Sequence, residues 1–122
     1  MATYTELVAY KDLRINDTLS NEFANAMAAM GTKFIARSDK PFTALTDMSN
    51  VSYAVPSFHG GFGIEVRDGA TLHQEPFAEA SASPESFDIA MHCAKGLVLL
   101  RRRVLRDDGA ATKAMRDLNE KE

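Results

Sequence analysis

Residues 58–66, FHGGFGIEV, alternate in side-chain character along the chain. One set of alternating positions holds Phe58, Phe62, Ile64 and Val66, and the other holds His59, Gly61, Gly63 and Glu65. Because successive side chains of a strand point to opposite faces, this pattern predicts a β-strand with one packed face and one bare face. Glycines within a strand indicate a bulge or a close approach by a ligand or another backbone, and a twisted edge strand would explain them equally well.

Two longer segments carry helical signals at both ends. The first has Asn16 or Asp17 as its N-cap and Gly31 as its terminator, with apolar residues at helical spacing at Leu19, Phe23, Met27 and Met30. The second is capped by Ser83, has Pro84 in its first turn and stops near Asp108 and Gly109. Its predicted apolar face consists of Phe87, Met91, Ala94, Val98 and Leu105.

Weaker signals complete the predicted secondary structure. We expect strands in YTELVAY (residues 4–10) and at Phe34 and Ile35, and a short helix that Thr46 or Asp47 caps and Pro56 ends. HQEPFAEASAS reads as a loop with one helical turn, and residues 110–122 as a fraying segment with Met115 and Leu118 on one side. The chain is therefore predicted to be α/β, with a small sheet of few strands packed by three to four helices.

Composition limits the class of protein. A chain of 122 residues with 45% apolar residues can bury one modest core, so residues 1–122 are expected to form a single domain. The net charge of −3 gives no general reason to bind nucleic acid or an anionic membrane, and Arg101–Arg103 reads as the solvated end of a helix. No apolar run predicts a membrane span, and the first residues do not resemble a secretory segment. The lone Cys93 excludes an internal disulfide and suggests the cytosol.

A few side chains are candidates for chemistry. His59 lies at the mouth of the predicted strand and His73 opens a loop, so either could serve as an acid, a base or a ligand. His92, inside a helix, is expected to be structural or surface-exposed. Asp47 reads as an N-cap and Cys93 as an inert core thiol. No spacing by itself forms a metal site or a phosphate loop.

Three segments together resemble the C-terminal part of metallopeptidase family twenty: ALTDMSNVSYAVPSFHGGFGI, LHQEPFAEASAS and AMHCAKGLVLL. The family includes aminoacylase and aminobenzoyl-glutamate hydrolase, and the dipeptidase-like branch is the most similar. The residues that match its pattern are Asp47, Met48, Asn50, Val51, Ser52, Pro56, His59, His73, Phe77, Glu79 and Ala80. The resemblance covers roughly residues 10–106 and implies a truncated version of the zinc peptidase catalytic domain.

The resemblance also implies roles for individual residues. His73 corresponds to the family's last zinc ligand, while His59, Asp47 and Asn50 would line the pocket wall. The sequence departs from the family pattern where Ala44 and Leu45 replace a Gly-Ser pair, Ser49 replaces a glycine, and Gly60 and Gly61 replace a Pro-aromatic pair. We expect substrate contacts from Asn50, Gly61, Gly63 and Glu65.

Family enzymes take their other zinc ligands and their general-base glutamate from an N-terminal half. The resemblance implies that this chain lacks that half and the lid domain. Since a catalytic zinc needs about three protein ligands, we expect no zinc in the isolated chain and no peptidase activity from it. The main expectation is a metal-independent acid–base catalyst, of the isomerase or cyclase type, that uses His59, His73 or Asp47 on a small molecule.

Two alternatives remain open at this stage. The chain could be one subunit of a split zinc amidohydrolase, with zinc bound only when a second chain supplies ligands, or it could be a noncatalytic binding or regulatory remnant. Because lost neighbours leave unpaired edges, a homodimer or a heteromer is expected in each case.

Overall fold

The regular structure is helical throughout the described part of the chain. A computed structural model describes residues 3–5, 9–36 and 46–120. Within these ranges there is no β-strand, and the elements in chain order are α1 Asp17–Ala29, α2 Asp47–Ser52, a 3₁₀ helix Arg67–Gly69, α3 Glu75–Ser81, α4 Pro84–Arg106 and α5 Asp108–Asn119. The predicted α/β class is therefore wrong, and so is the hydrolase fold of a truncated peptidase domain.

Residues 58–66 form no strand despite their alternation. Val66 has extended dihedral angles, with φ −125° and ψ 145°, so the local preference is expressed. A strand also needs a neighbour that completes its ladder of hydrogen bonds, and no described segment provides one. Phe58 packs its ring against Phe23 instead, with 4.6 Å between the ring centroids. Alternation alone therefore did not predict whether this segment pairs as a strand.

The N-terminal segment also forms no strand where it is described. Its backbone donors are satisfied by side chains of α2: Lys11 N–H donates to Asn50 Oδ1 at 3.0 Å, and Arg14 N–H donates to Ser52 Oγ at 2.9 Å. Residues 6–8 of the predicted strand lie outside the described residues, as do Ala44 and Leu45. The brief strand predicted at residues 34 and 35 is absent.

Helix α1 confirms the prediction made from its caps. Asn16 Oδ1 accepts a hydrogen bond from Leu19 N–H at 3.1 Å. At the other end Gly31 has φ 81°, and Thr32 N–H donates back to Met27 O at 2.9 Å, as in a helix that ends through a left-handed residue. Leu19, Phe23 and Met27 are buried as expected.

Helix α4 has the predicted N-cap, Ser83, but buries a different face. Phe87, Met91, Val98 and Leu105 of the predicted core face are exposed, whereas Gly96 and Leu100 are buried against α1 with Cys93 and Val104 beside them. The reason is the close approach of α1: a Cβ atom at Gly96 would lie 2.5 Å from Met27 Sδ and 2.9 Å from Phe23 Cε2. Any larger residue there would force Met27 and Phe23 to shift, so glycine at this position allows this face of α4 to pack closely on α1.

Helix α2 is capped by Thr46, whose Oγ1 accepts from Met48 N–H at 3.4 Å. It buries Ser49 and Ser52, while the apolar Val51 and Tyr53 are exposed. The short helix and its cap at Thr46 were thus predicted correctly.

The last two predictions underestimated the helical content. Helix α3 spans Glu75–Ser81 where one helical turn was expected. Helix α5 is capped by Asp107, whose Oδ1 accepts from Ala110 N–H at 3.1 Å, and it runs to Asn119. It buries Ala110 and Ala114, while Met115 of the predicted apolar side is exposed.

Helices α1, α4 and α5 enclose the core. Its members are Leu19, Phe23, Met27, Leu100 and Ala114, with Met30, Phe34, Phe58, Cys93 and Val104 packed against them. Among the described residues, no helix is both long and apolar enough to cross a membrane.

Candidate functional site

A groove of about 420 Å³ opens between the end of α1, residues 32–34, residues 58–62 and one side of α4. Phenylalanine rings form much of its wall: Phe23, Phe34, Phe58 and Phe62. Phe23 meets Phe34 edge to face, with ring centroids 4.8 Å apart and planes at 80°, which is a favourable geometry for an aromatic pair. Since Phe23 is also a core residue, the bottom of the groove is held rigidly by the packing of α1.

Three polar side chains lie on the lining of this groove: Thr32, Lys33 and His59. Thr32 Oγ1 is hydrogen-bonded to His92 Nε2 at 2.7 Å, so His92 positions a groove residue. The sequence predicted a structural or surface-exposed His92. It gave no sign of Thr32 and Lys33, because single polar residues beside an aromatic form no recognisable motif.

The groove carries no acidic side chain among the described residues that line it. Lys33 carries the ammonium group of a lysine side chain, and the imidazole of His59 is exposed at the rim. An anionic group on a bound molecule would therefore meet favourable charge and no opposing carboxylate.

Cys93 places its thiol on the same lining. Burial raises the pKa of this thiol above its ordinary value, because removal of water disfavours the thiolate. The neutral thiol is a weak nucleophile near pH 7, so Cys93 contributes to packing and to the apolar wall rather than to covalent chemistry.

We predict that Cys93 is alkylated by iodoacetamide more slowly than the thiol of free cysteine at neutral pH. The rate should rise with pH and continue to rise above the pH at which free cysteine levels off, since the raised pKa moves thiolate formation upward. Mass spectrometry of quenched time points measures this rate. Labelling as fast as that of free cysteine at pH 7 would contradict the assignment.

Asp47 lies away from the groove, at the start of α2. The Tyr10 hydroxyl donates a hydrogen bond to the Asp47 carboxylate, and this bond, with the negative charge beside it, raises the pKa of Tyr10. Asn50 holds the same N-terminal segment: its Oδ1 accepts from Lys11 N–H and its Nδ2 donates to Ala9 O at 3.1 Å. The structure therefore shows both residues fastening residues 9–12 to α2.

The remaining predicted site residues are distributed over the surface. His59 and Gly61 line the groove, but His73 is exposed in the loop before α3, with φ 68°, and is not part of the lining. Gly63 and Glu65 are exposed further along the extended segment and are also outside the lining. Of the three expected acid–base residues, the groove thus contains His59 but neither Asp47 nor His73.

The described residues contain no group of three or more His, Cys, Asp or Glu side chains placed to hold a metal ion. His73, the residue that resembles a zinc ligand, therefore has no companion ligands within this part of the chain.

Comparison of the chain with family models, with curated proteins and with solved structures finds no match. The similarity to metallopeptidase family twenty stays a prediction from the sequence motifs.

Proposed function

We propose that this chain binds a small, largely apolar molecule with an anionic group, and that the groove beside α4 is the binding site. The observation that supports this most strongly is the groove itself: about 420 Å³ of space walled by four phenylalanine rings. Small-molecule sites usually enclose about 300–1,000 Å³ and combine apolar walls with a few polar groups. The ligand class is therefore an aromatic or aliphatic carboxylate, or a similar monoanion.

The charge of the lining supports the anionic part of the proposal. Lys33 places a lysine ammonium group on the lining, and His59 adds an imidazole beside it. Both lie near solvent, so each adds modest selectivity rather than most of the affinity, which the rings provide by burial of apolar surface.

Acid–base catalysis by His59 on the bound molecule is a second part of this proposal. His59 is the group through which a bound molecule could exchange a proton, whereas Asp47 and His73 would have to reach the groove by a rearrangement. Binding is the function that the geometry supports without such movement. Since the groove contains a thiol, we place the protein in a reducing compartment, the cytosol, as part of the same proposal.

The test uses two probes of matched shape, cinnamate and cinnamyl alcohol. We expect both to shift the backbone amide signals of Phe34 and Cys93 in NMR titrations, with cinnamate binding about two- to fivefold more tightly, the range that an exposed charge pair supplies. Lys33→Met should remove most of that preference and leave the alcohol unaffected.

A matched pair of variants tests the location. No atom lies within 4 Å of a Cβ placed at Gly61 or at Gly63, so a side chain can be added at either position without a clash at its base. Gly61→Phe should fill the groove and abolish binding of both probes, whereas Gly63→Phe, outside the lining, should not. The site would be disproved if the two substitutions had equal effects, or if neither changed the binding of the probes.

A further inference from the structure

Helix α4 carries a second apolar face, opposite the one that packs on α1. We call it the outer stripe: Phe87, Met91, Ala94, Val98, Arg101 and Leu105. Phe87, Val98 and Leu105 are 62%, 65% and 71% exposed. A run of apolar side chains this exposed along one helix marks an interaction surface.

The spacing of the outer stripe indicates what kind of surface would cover it. Its residues follow one another at intervals of four, three, four, three and four positions. This is the spacing of the apolar seam in a coiled coil, which packs against another helix. The outer stripe runs from Phe87 to Leu105 within the helix Pro84–Arg106, and Arg101 is its one charged member.

The same spacing reads identically from either end, so the stripe is complementary to itself in an antiparallel arrangement. Two copies related by a twofold axis would place Phe87 opposite Leu105 of the second copy, and Ala94 opposite Val98 of the second copy. Arg101 would lie opposite Met91, along whose side chain its stem can extend. A parallel arrangement would instead bring the two Arg101 side chains together, which like charge disfavours.

The charges beside the seam favour the same choice. In the antiparallel arrangement Asp88 lies next to Arg102 of the second copy, and the symmetry repeats this pair. Both side chains are exposed, and neither forms an ion pair within the described residues. The two Lys95 side chains approach each other near the axis, where their length lets the ammonium groups separate into water.

The apolar side chains exposed by the described residues point to an interface as well. Sixteen large apolar side chains are exposed within the described residues alone. Pairing through the outer stripe would cover four of them: Phe87, Met91, Val98 and Leu105.

We propose that the protein is a homodimer in which the α4 helices of two copies pack antiparallel through the outer stripe. The outer stripe shares Ala94 with the lining of the groove, while its other residues lie outside that lining. The dimer proposal does not rest on the proposed ligand.

The first experiment measures mass in solution by analytical ultracentrifugation at tens to hundreds of micromolar protein. The wild-type chain should sediment with twice the mass of 13.4 kDa. Val98→Glu would bury an unpaired charge at the seam and should raise the dissociation constant about tenfold or more. Met115→Glu, which adds the same charge to an exposed apolar position of α5, should leave the dimer intact.

The second experiment tests the antiparallel arrangement by charge exchange. Asp88→Arg should weaken the dimer, and Asp88→Arg combined with Arg102→Asp should restore it, because the two positions meet across the interface. Circular dichroism checks that each variant keeps its helical content. A wild-type monomer, a dimer insensitive to Val98→Glu, or failure of the double exchange to restore association would each overturn the proposal.

Discussion

Replacement of Phe23 by alanine should lower the free energy of unfolding by about 3–5 kcal/mol, the usual range for removal of a buried phenylalanine. Phe23 is 4% exposed and touches both other rings of the core, Phe34 and Phe58. It also contacts α4 at Gly96, so its loss opens a cavity at the contact between the two helices. Urea unfolding followed by circular dichroism measures the change.

Two companion variants keep this prediction testable. Tyr4→Ala removes an aromatic side chain that is 92% exposed and should change stability by less than about 0.5 kcal/mol. Because a loss near 5 kcal/mol would unfold many domains of this size, Phe23→Leu should be measured too, with a smaller loss in the same direction. A Phe23→Ala protein as stable as Tyr4→Ala would show that the α1 to α4 contact does not hold the fold together.

Replacement of Asn16 by alanine should cost about 2–3 kcal/mol, although the residue is polar. Its side chain is 5% exposed and makes two bonds: Oδ1 caps α1 through Leu19 N–H, and Nδ2 donates to Ala114 O on α5 at 2.8 Å. Alanine removes the cap of α1 and also the hydrogen bond that joins α1 to Ala114 O on α5. Thermal unfolding monitored by circular dichroism would report the loss.

Other substitutions separate the two roles of Asn16. Serine can still cap α1 but is too short to reach Ala114, so Asn16→Ser should lose about half as much stability. Asn25→Ala, at an exposed position of the same helix, should be neutral or slightly stabilising because alanine favours helices. If Asn16→Ala behaved like Asn25→Ala, the link between α1 and α5 would contribute nothing.

The helices could be predicted where their signals are local. The caps at Asn16, Ser83 and Gly31 act on residues within a few positions of themselves, so the sequence alone reveals them. Local signals could not show whether residues 58–66 form a strand, because the pairing of a strand depends on a distant segment. The N-terminal segment was a candidate neighbour, but its Lys11 and Arg14 N–H groups donate to the side chains of Asn50 and Ser52.

The packed face of α4 could not be read from periodicity, because the helix has two apolar faces. The larger side chains lie on the outer stripe, so a pattern search selects that face as the core. The true contact is set by the absence of a side chain at Gly96, which attracts no attention in a hydrophobicity pattern. The close contact between α1 and α4 thus depends on a glycine, which a search for apolar residues does not detect.

The candidate site was predicted in part. His59 and Gly61 were selected from the glycine-rich stretch, and both line the groove. Thr32 and Lys33 come from a segment that follows α1, and His73 was selected by its likeness to a zinc ligand but lies elsewhere. Which loops converge is decided by the packing of the helices that carry them, and that is a property of the whole chain.

Because Phe23 belongs to both the core and the groove, binding of a molecule in the groove is coupled to folding of the chain. One ring is both the centre of the hydrophobic core and the base of the groove, so a molecule seated there contacts the same atoms that hold α1 to α4. A ligand that binds only the folded form raises the melting temperature of the protein, and the increase grows with the logarithm of the ligand concentration. Melting temperatures measured with each member of a library of small acids would therefore rank candidate ligands before any reaction is known.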